Sequence, residues 1–372
     1  MDYTYTFKQR SLMKQAREFS QKTIAPEALY YDRKGVYPRK TILKMGKEGL
    51  FGVIIPREFG GLGLSTLEYG IVQQEVAAVS PGYTHNGQYQ SQKGLLLFGT
   101  EDQKKRYLEK LSTAEYIGAI AISEREAGSS FKKMDTKAMK KGDTYILHGH
   151  KTHINDAAEA HVMLLLTKAN KGFTVFILEK DTPGVTFTKK LDPIGLRSSP
   201  MYEFTLEHVK LPSTQLLGEE GKGMDIFFGI FNFSRIGNAS VFIGIAHGAL
   251  KAAIDYAMQR HAGGSRVAEF QGIRWIIADL LTKIEAAELL RNNAALLEGA
   301  GSPCARETCM AKYFAGEVAM EVTNKAIEIT GSYGCYRDQP YEMLLRDAKA
   351  LLVAGGTSEV MKNVIADLAI GR

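Results

Sequence analysis

From Pro212 to Pro303 the chain contains no proline. Proline removes a helix hydrogen bond and clashes with the preceding turn, so long uninterrupted helices are permitted here. The apolar residues keep helical time. In "ASVFIGIAHGALKAAIDYAMQR", Val241, Ile245, Ala249, Ala253 and Tyr256 fall near one stripe. In "WIIADLLTKIEAAELLRNNAALLEG", Trp275, Leu281, Ile284 and Leu289 do the same. Helices this apolar on several faces are expected to be buried, partly in a subunit interface.

The middle of the chain has another period. "MYEFTLEHVKLP" sets Tyr202, Phe204 and Leu206 against Glu203, Thr205 and Glu207, which predicts a half-buried strand. "HVMLLLTKA" and "GFTVFILEK" are apolar runs broken by "NKG", a hairpin signal. Towards the N-terminus the helical period returns: "SLMKQAREFSQKTIAP" aligns Leu12, Ala16 and Phe19 and stops at Pro26. The predicted class is α+β in three parts: residues 1–118 helical, 119–218 a small β-domain, and 219–372 a helical bundle.

With 372 residues the chain exceeds one ordinary core. Its net charge is +6, with lysines dispersed in short clusters such as "KKMDTKAMKK". That pattern reads as a solvated surface, or as attraction for an anionic ligand. No basic-and-aromatic module or DNA-reading motif is visible, so nucleic acid is not expected. No apolar run of about 18 residues predicts a membrane span, and no basic-then-apolar leader is visible. Cys304, Cys309 and Cys335 are too few for a disulfide framework or a zinc site. A cytoplasmic protein without a metal is the expectation.

Four small-residue turns are candidate sites. "AISEREAGSS" (121–130) offers backbone N–H groups and Ser129 to a phosphate. "EITGSYGCYRD" (328–338) reads as a helix C-cap. "RHAGGSRVAEFQG" (260–272) carries Arg260 and Arg266, and arginine suits pyrophosphate. "LLVAGGTSEV" (351–360) joins an apolar run to a final helix.

Taken in order with "PREFGGLGLS", "LLLFGTEDQKKRYL", "GHKTHINDAAEA", "DPIGLRSSPMYEFTLEHVKLP", "LLGEEGKGM" and "LLRDAK", these stretches resemble the acyl-CoA dehydrogenase family over almost the whole chain. The resemblance implies an N-terminal helical domain, a middle β-barrel-like domain and a C-terminal four-helix bundle. It also implies FAD, an acyl-CoA substrate, a homotetramer, and an electron-transfer flavoprotein as possible partner. Carried over by position, Ile122, Ser123, His153, Ile154 and Asn155 would meet the flavin ring. Gly128 and Ser129 would meet the phosphates or the thioester. Arg260 and Gln271 would reach FAD from a neighbouring subunit. Glu328, Gly331, Ser332 and Gly334 would lie near its pyrophosphate, and Thr357 and Glu359 would hold it near the C-terminus. Asn232 and Arg235 would face the CoA moiety, and Ala354 and Gly355 the acyl group.

The departures are informative. His153, Asn155, Gly263, Arg125 and Glu328 replace the family's usual aromatic, Ser or Thr, Phe, Pro and Gln. A carboxylate at Glu328 beside a pyrophosphate is unfavourable unless protonated or turned away. The family's general base is a Glu where Gly355 stands or, in a minority, where Ser234 stands, and neither residue here is a carboxylate. A positioned base contributes roughly 10²–10⁴-fold. Tyr83, His85 and Tyr89, with His153, are the substitutes the sequence offers. Otherwise the substrate needs no strong base, as in a lyase such as a desulfinase or decarboxylase, or the chain binds flavin or thioester without turnover. The oxidoreductase reading comes first: α,β-dehydrogenation of an acyl-CoA thioester, or the reverse, on a branched, cyclic or functionalised acyl group. It carries the expectation that Gly355→Glu restores ordinary dehydrogenation.

Overall fold

The structure, a computed structural model, describes residues 5–371; Met1–Thr4 and Arg372, at the ends of the first and third parts, lie outside the described residues. The chain opens with α1 (Phe7–Phe19), α2 (Ala28–Lys34), α3 (Arg39–Lys47), α4 (Thr66–Ala77), α5 (Asn86–Phe98) and α6 (Glu101–Ser112). Capping boxes start three of them: Thr6, Ser65 and Thr100 each pair with a Gln or Glu three residues on. α1 buries Leu12 and Ala16 and passes through a π-turn before Pro26.

Eight strands follow: β1 (Gly118–Ala121), β2 (Lys137–Lys141), β3 (Thr144–Asn155), β4 (Val162–Ala169), β5 (Gly172–Glu179), β6 (Val185–Lys190), β7 (Met201–Pro212) and β8 (Leu216–Leu217). They form one sheet in the order β6-β7-β3-β2-β4-β5-β8, with β1 parallel to β4. β4 and β5 make the hairpin across "NKG". The two halves of the sheet meet where Lys137 of β2 registers with Lys168 of β4. One face of β7 departs from the alternation: Glu203 is buried, accepting from Thr152 Oγ1 at 2.9 Å and Arg125 Nη2 at 3.1 Å.

The last part is α7 (Gly223–Gln259), a small hairpin of β9 (His261–Ala262) and β10 (Ser265–Arg266), then α8 (Gln271–Gly299), α9 (Ala305–Thr330), α10 (Pro340–Leu351) and α11 (Ser358–Ala369). α7 is long and apolar enough to cross a membrane by length and composition, contrary to the sequence expectation, but 78% of its apolar window is buried inside the protein. On α8 only part of the stripe is buried within the single chain. Ile284 is buried, whereas Trp275, Leu281 and Leu289 are exposed in the single chain.

Two buried charged groups fix the loops at the domain junction. Lys151 of β3 donates to Ile122 O and to Glu124 Oε1, both at 2.8 Å, while Glu124 also accepts from the Asp135 and Thr136 amides. Burial lowers the Lys151 ammonium to about 8 against the pull of Glu124. Asp347 of α10 is fully buried and accepts from Leu196 N at 2.6 Å. Burial, with Asp32 nearby, pushes its carboxyl up to about 7.

Removing one member of a buried ion pair leaves the other uncompensated, at a cost of about 3–5 kcal/mol. Lys151→Met is expected to lose that much in urea unfolding, and adding Glu124→Gln to recover part of it. For Asp347 the folded state holds the proton more tightly than the unfolded one. Its contribution to stability therefore falls as pH rises from the ordinary carboxyl value of 3.8 to about 7, and is level above. Asp347→Asn is expected to gain in melting temperature over the wild type between pH 5 and pH 8, by several degrees, in thermal unfolding at each pH.

Candidate active site

Between the end of α10 at Leu351 and the start of α11 at Ser358, the chain makes a closed turn. Thr357 caps α11, its Oγ1 accepting from Val360 N at 3.3 Å. Gly355 and Gly356 have φ of +66° and +100°, which L side chains rarely adopt. Lys312 of α9 holds the turn from behind: its buried ammonium donates to Leu352 O at 3.0 Å and to Gly356 O. Burial first, then the Arg235 cation, lower Lys312 to about 8.

The front of the turn is lined by amides and hydroxyls. Asn238 Nδ2 donates to Ala354 O at 3.3 Å, Asn86 Nδ2 donates to Asn238 Oδ1 at 2.6 Å, and Tyr69 donates to Asn86 Oδ1 at 3.2 Å. A Cβ on Gly355 would stand 2.6 Å from Asn238 Nδ2 and 3.7 Å from Ser234 Oγ. Ser234 Oγ accepts from Gln90 Nε2 at 2.8 Å. The positions of Gly355 and Ser234 therefore converge on one spot, which carries no carboxylate. Tyr69, Asn86, Gln90, Asn238 and Lys312 were missed by the sequence reading. For Asn238 the signal was a polar side chain inside an apolar helical run, "GNASVFIG".

The substitute bases point elsewhere. Tyr83 donates to Glu27 Oε1 at 2.9 Å, and burial, then this bond, push its ionisation up. Tyr89 donates to Leu50 O. His85 opens α5 at φ +41°, with Nδ1 2.8 Å from Asp156 Oδ2 and its ring centroid 4.9 Å from that of Tyr37. Asp156 accepts from Ser199 Oγ at 3.0 Å, and Asn155 Nδ2 donates to Ser199 at 3.2 Å. His85 thus belongs to a buried network at the end of β3; its neighbour Asn86 joins the network around Gly355.

Ile122 and Ser123 lie beside His153 and Asn155, because Thr152 N donates to Ser123 O at 3.0 Å and Lys151 grips Ile122 O. His153 is exposed, at φ +56° where β3 and β7 shift register. Ser129 is exposed, and a Cβ on Gly128 would meet no atom within 4 Å, so the backbone there is open to approach. Half-exposed apolar and hydrogen-bonding groups beside an open backbone fit a flat ring carrying a phosphate chain, as FAD does.

Arg260, Gln271, Glu328, Gly331 and Ser332 gather instead at one end of the bundle, where α7 and α9 end and α8 begins; the Tyr256 and Tyr333 rings stack there at 4.9 Å. Gly331 ends α9 at φ +62°, as a C-cap. Among the described residues no hydrogen bond or ion pair joins this group to the Ile122–Asn155 shelf. Glu328 is turned along its own helix, accepting from Lys325 Nζ at 2.6 Å and Asn324 Nδ2 at 2.8 Å. Glu359 is exposed in the first turn of α11, where a backbone hydrogen bond and Thr357 lower its carboxyl. Asn232 Oδ1 accepts from Thr308 Oγ1 at 3.2 Å and Arg235 Nη1 at 3.4 Å. A separate groove of about 540 Å³ runs between α2, the 192–197 loop and α10. Its Arg197 and Arg346 are already paired with Asp192, Asp32 and Glu342.

The three parts of the chain match three family descriptions: acyl-CoA dehydrogenase N-terminal domain over residues 6–115, middle domain over 119–209 and C-terminal domain over 221–370. An acryloyl-CoA reductase (NADH) of Anaerotignum propionicum is 38% identical, over 98% of this chain and 95% of its own length. The butyryl-CoA dehydrogenase of Megasphaera elsdenii superposes with a TM-score of 0.96 at 34% identity, covering all of both chains. A chain solved in work on the electron transferring flavoprotein of Acidaminococcus fermentans superposes at 0.98 with 36% identity, again over all of both chains. The three-part fold, the open shelf at the domain junction and these likenesses agree: the chain belongs to the acyl-CoA dehydrogenase family, FAD-dependent oxidoreductases acting on CH–CH bonds.

Proposed function

We propose that this chain moves a hydride and a proton across the Cα–Cβ bond of a functionalised acyl thioester whose chemistry needs no carboxylate base. The observation that carries this reading is the lining of the closing turn, where Asn238, Ser234 and Gln90 stand and no carboxylate does. FAD, when bound, supplies the hydride chemistry. Ile122, Ser123, His153 and Asn155 would hold its ring, and Gly128 and Ser129 its phosphates. The Asn238–Asn86–Tyr69 relay fixes the carbonyl of Ala354 and offers polar contacts to the acyl group, which favours a functionalised chain over a plain alkyl one. Ser234, accepting from Gln90, keeps its own hydroxyl proton free beside Gly355, so it can donate that proton to a carbanion-like Cα when the double bond of an activated substrate is reduced.

The same reading includes an electron-transfer flavoprotein as redox partner and a homotetramer as the assembly. Support for assembly comes from the exposed apolar residues of α8 and from the bundle-end group around Arg260 and Gln271, which can reach a neighbouring subunit's flavin. The domain limits 1–118, 119–218 and 219–372 remain part of this proposal, with the cofactor at their junction.

Anaerobic addition of a panel of acyl-CoAs to the yellow holoenzyme tests it. Thioesters with polar, branched or cyclic acyl groups are expected to bleach the flavin within the mixing time, and butyryl- or octanoyl-CoA not to. Rapid bleaching by the straight chains refutes the reading. The structure also revises the expectation for Gly355→Glu. Its positive φ strains any L side chain and the end of the Asn238 amide must swing aside, so the variant is expected to lose roughly 1–3 kcal/mol and to gain less butyryl-CoA dehydrogenation than a carboxylate placed from the helix. Ser234→Glu enters the same spot from a regular helix and is expected to raise that activity by about 10²-fold or more. Chemical unfolding and anaerobic dye reduction measure the two effects.

A further inference from the structure

His85 and Asp156 form a buried pair that the reaction outlined above does not use. Imidazole Nδ1 stands 2.8 Å from Asp156 Oδ2, and both side chains are almost wholly out of contact with solvent. No other cation pairs with Asp156 among the described residues. Nε2 of the same ring is buried without a hydrogen-bond partner, as is the hydroxyl of Tyr37, whose ring centroid lies 4.9 Å away. The bond to Asp156 is thus the imidazole's only polar contact.

Both partners sit in left-handed backbone, His85 at φ +41° and Asp156 at φ +56°. Residues other than glycine are strained there and persist only where their surroundings hold them. The hold on Asp156 is dense. Its amide donates to Pro200 O at 2.7 Å, its carboxylate accepts from Ser199 Oγ at 3.0 Å, and its carbonyl takes the amides of Glu159 and Ala160. The hold on His85 is thinner. It stands at the N-terminus of α5, and its side chain does not cap that helix. The bond to Asp156 therefore fixes where α5 begins.

Each partner is next in the chain to a residue of the site. Asn155 donates at 3.2 Å to Ser199 Oγ, the hydroxyl that Asp156 also engages. Asn86 donates to Asn238 Oδ1 at 2.6 Å, and Asn238 to Ala354 O at 3.3 Å. A continuous series of bonded and adjacent residues runs from the Ile122–Asn155 shelf to the closing turn. It crosses from the sheet to the N-terminal helices at the His85–Asp156 bond.

We propose that His85 and Asp156 are positioning residues: their bond holds the closing turn in register with the shelf, and neither touches the reacting atoms. Only the flavin half of this rests on the placement of FAD given above. The hold on the turn does not involve FAD, so the two can fail separately.

Hydrogen–deuterium exchange and visible circular dichroism of the FAD-loaded enzyme, without thioester, test both halves. Exchange over residues 351–361 reads the turn, and the flavin bands read the shelf. The β4–β5 hairpin, outside the series, reads general loosening. His85→Ala is expected to speed exchange in the turn about 10-fold or more, to change the hairpin by less than about twofold, and to alter the flavin bands. His85→Asn carries an amide nitrogen near the Nδ1 position and tolerates left-handed backbone, so it is expected to restore both readouts. Asn86→Ala cuts the series beyond the pair. It is expected to loosen the turn as much as His85→Ala with the flavin bands unchanged, and the double variant to loosen it no further. If His85→Ala does not retain FAD, Asp156→Gly, which suits φ +56°, is expected to give the same pattern.

Unchanged exchange of the turn in His85→Ala overturns the proposal. So does equal loosening of turn and hairpin, additive loosening in the double variant, or no recovery in His85→Asn. A turn that loosens while the flavin bands stay unchanged supports the pair as the device that holds the turn, and refutes the placement of FAD on the shelf.

Discussion

The ammonium of Lys312 sets the shape on which the rest of the site depends. The last carbonyls of a helix have no partner within it, and the helix dipole makes that end negative. Lys312 meets both conditions at once, taking the carbonyl of Leu352 at the end of α10 and that of Gly356 beyond it. With Thr357 capping α11 on the other side, the residues between have little freedom. Gly355 is held in the left-handed region and Ala354 turns its carbonyl to Asn238. The lysine lies behind the turn, and its effect is felt in front of it.

The remaining architecture divides the work between layers. The sheet presents the Ile122–Asn155 shelf, kept in place by the buried Lys151–Glu124 pair and by the Asp156–Ser199–Asn155 bonds. The bundle supplies Ser234, Arg235 and Asn238 from α7 and Lys312 from α9. The N-terminal helices contribute Tyr69, Asn86 and Gln90 between them. Each layer offers side chains that are polar on a buried surface, and most of them find a bond within their own layer or in the next one. Among the described residues, the buried His85 Nε2 and Arg235 Nε are exceptions.

Much of this fold was legible in the sequence. The run without proline, the period-two strand at Met201–Pro212 and the glycine ends of helices each have a local physical cause, and each stood where expected. The role of Gly331 as a helix cap was also local. What could not be read was relational. The burial of Glu203 depends on Arg125 and Thr152 from other segments, although strict alternation would expose it. Trp275 sits in a helical stripe yet is exposed in one chain, since period does not say which neighbour covers a face. In the same way His85 looked like a free titratable group until Asp156, 71 residues further on, was seen to claim it. Lys312 gave little warning, because a lysine in a helix is ordinarily a solvated one.

The relation between Gly355 and Asn238 couples two positions 117 residues apart in the chain. The Asn238 amide stands where any side chain at 355 would begin, and its own bonds run back to Asn86 and Tyr69. A larger residue at 355 must push that amide aside and disturb its bonds to Ala354 and Asn86. Substitutions at the two positions are therefore not additive, and a change in the turn is felt as far away as the first helices of the chain.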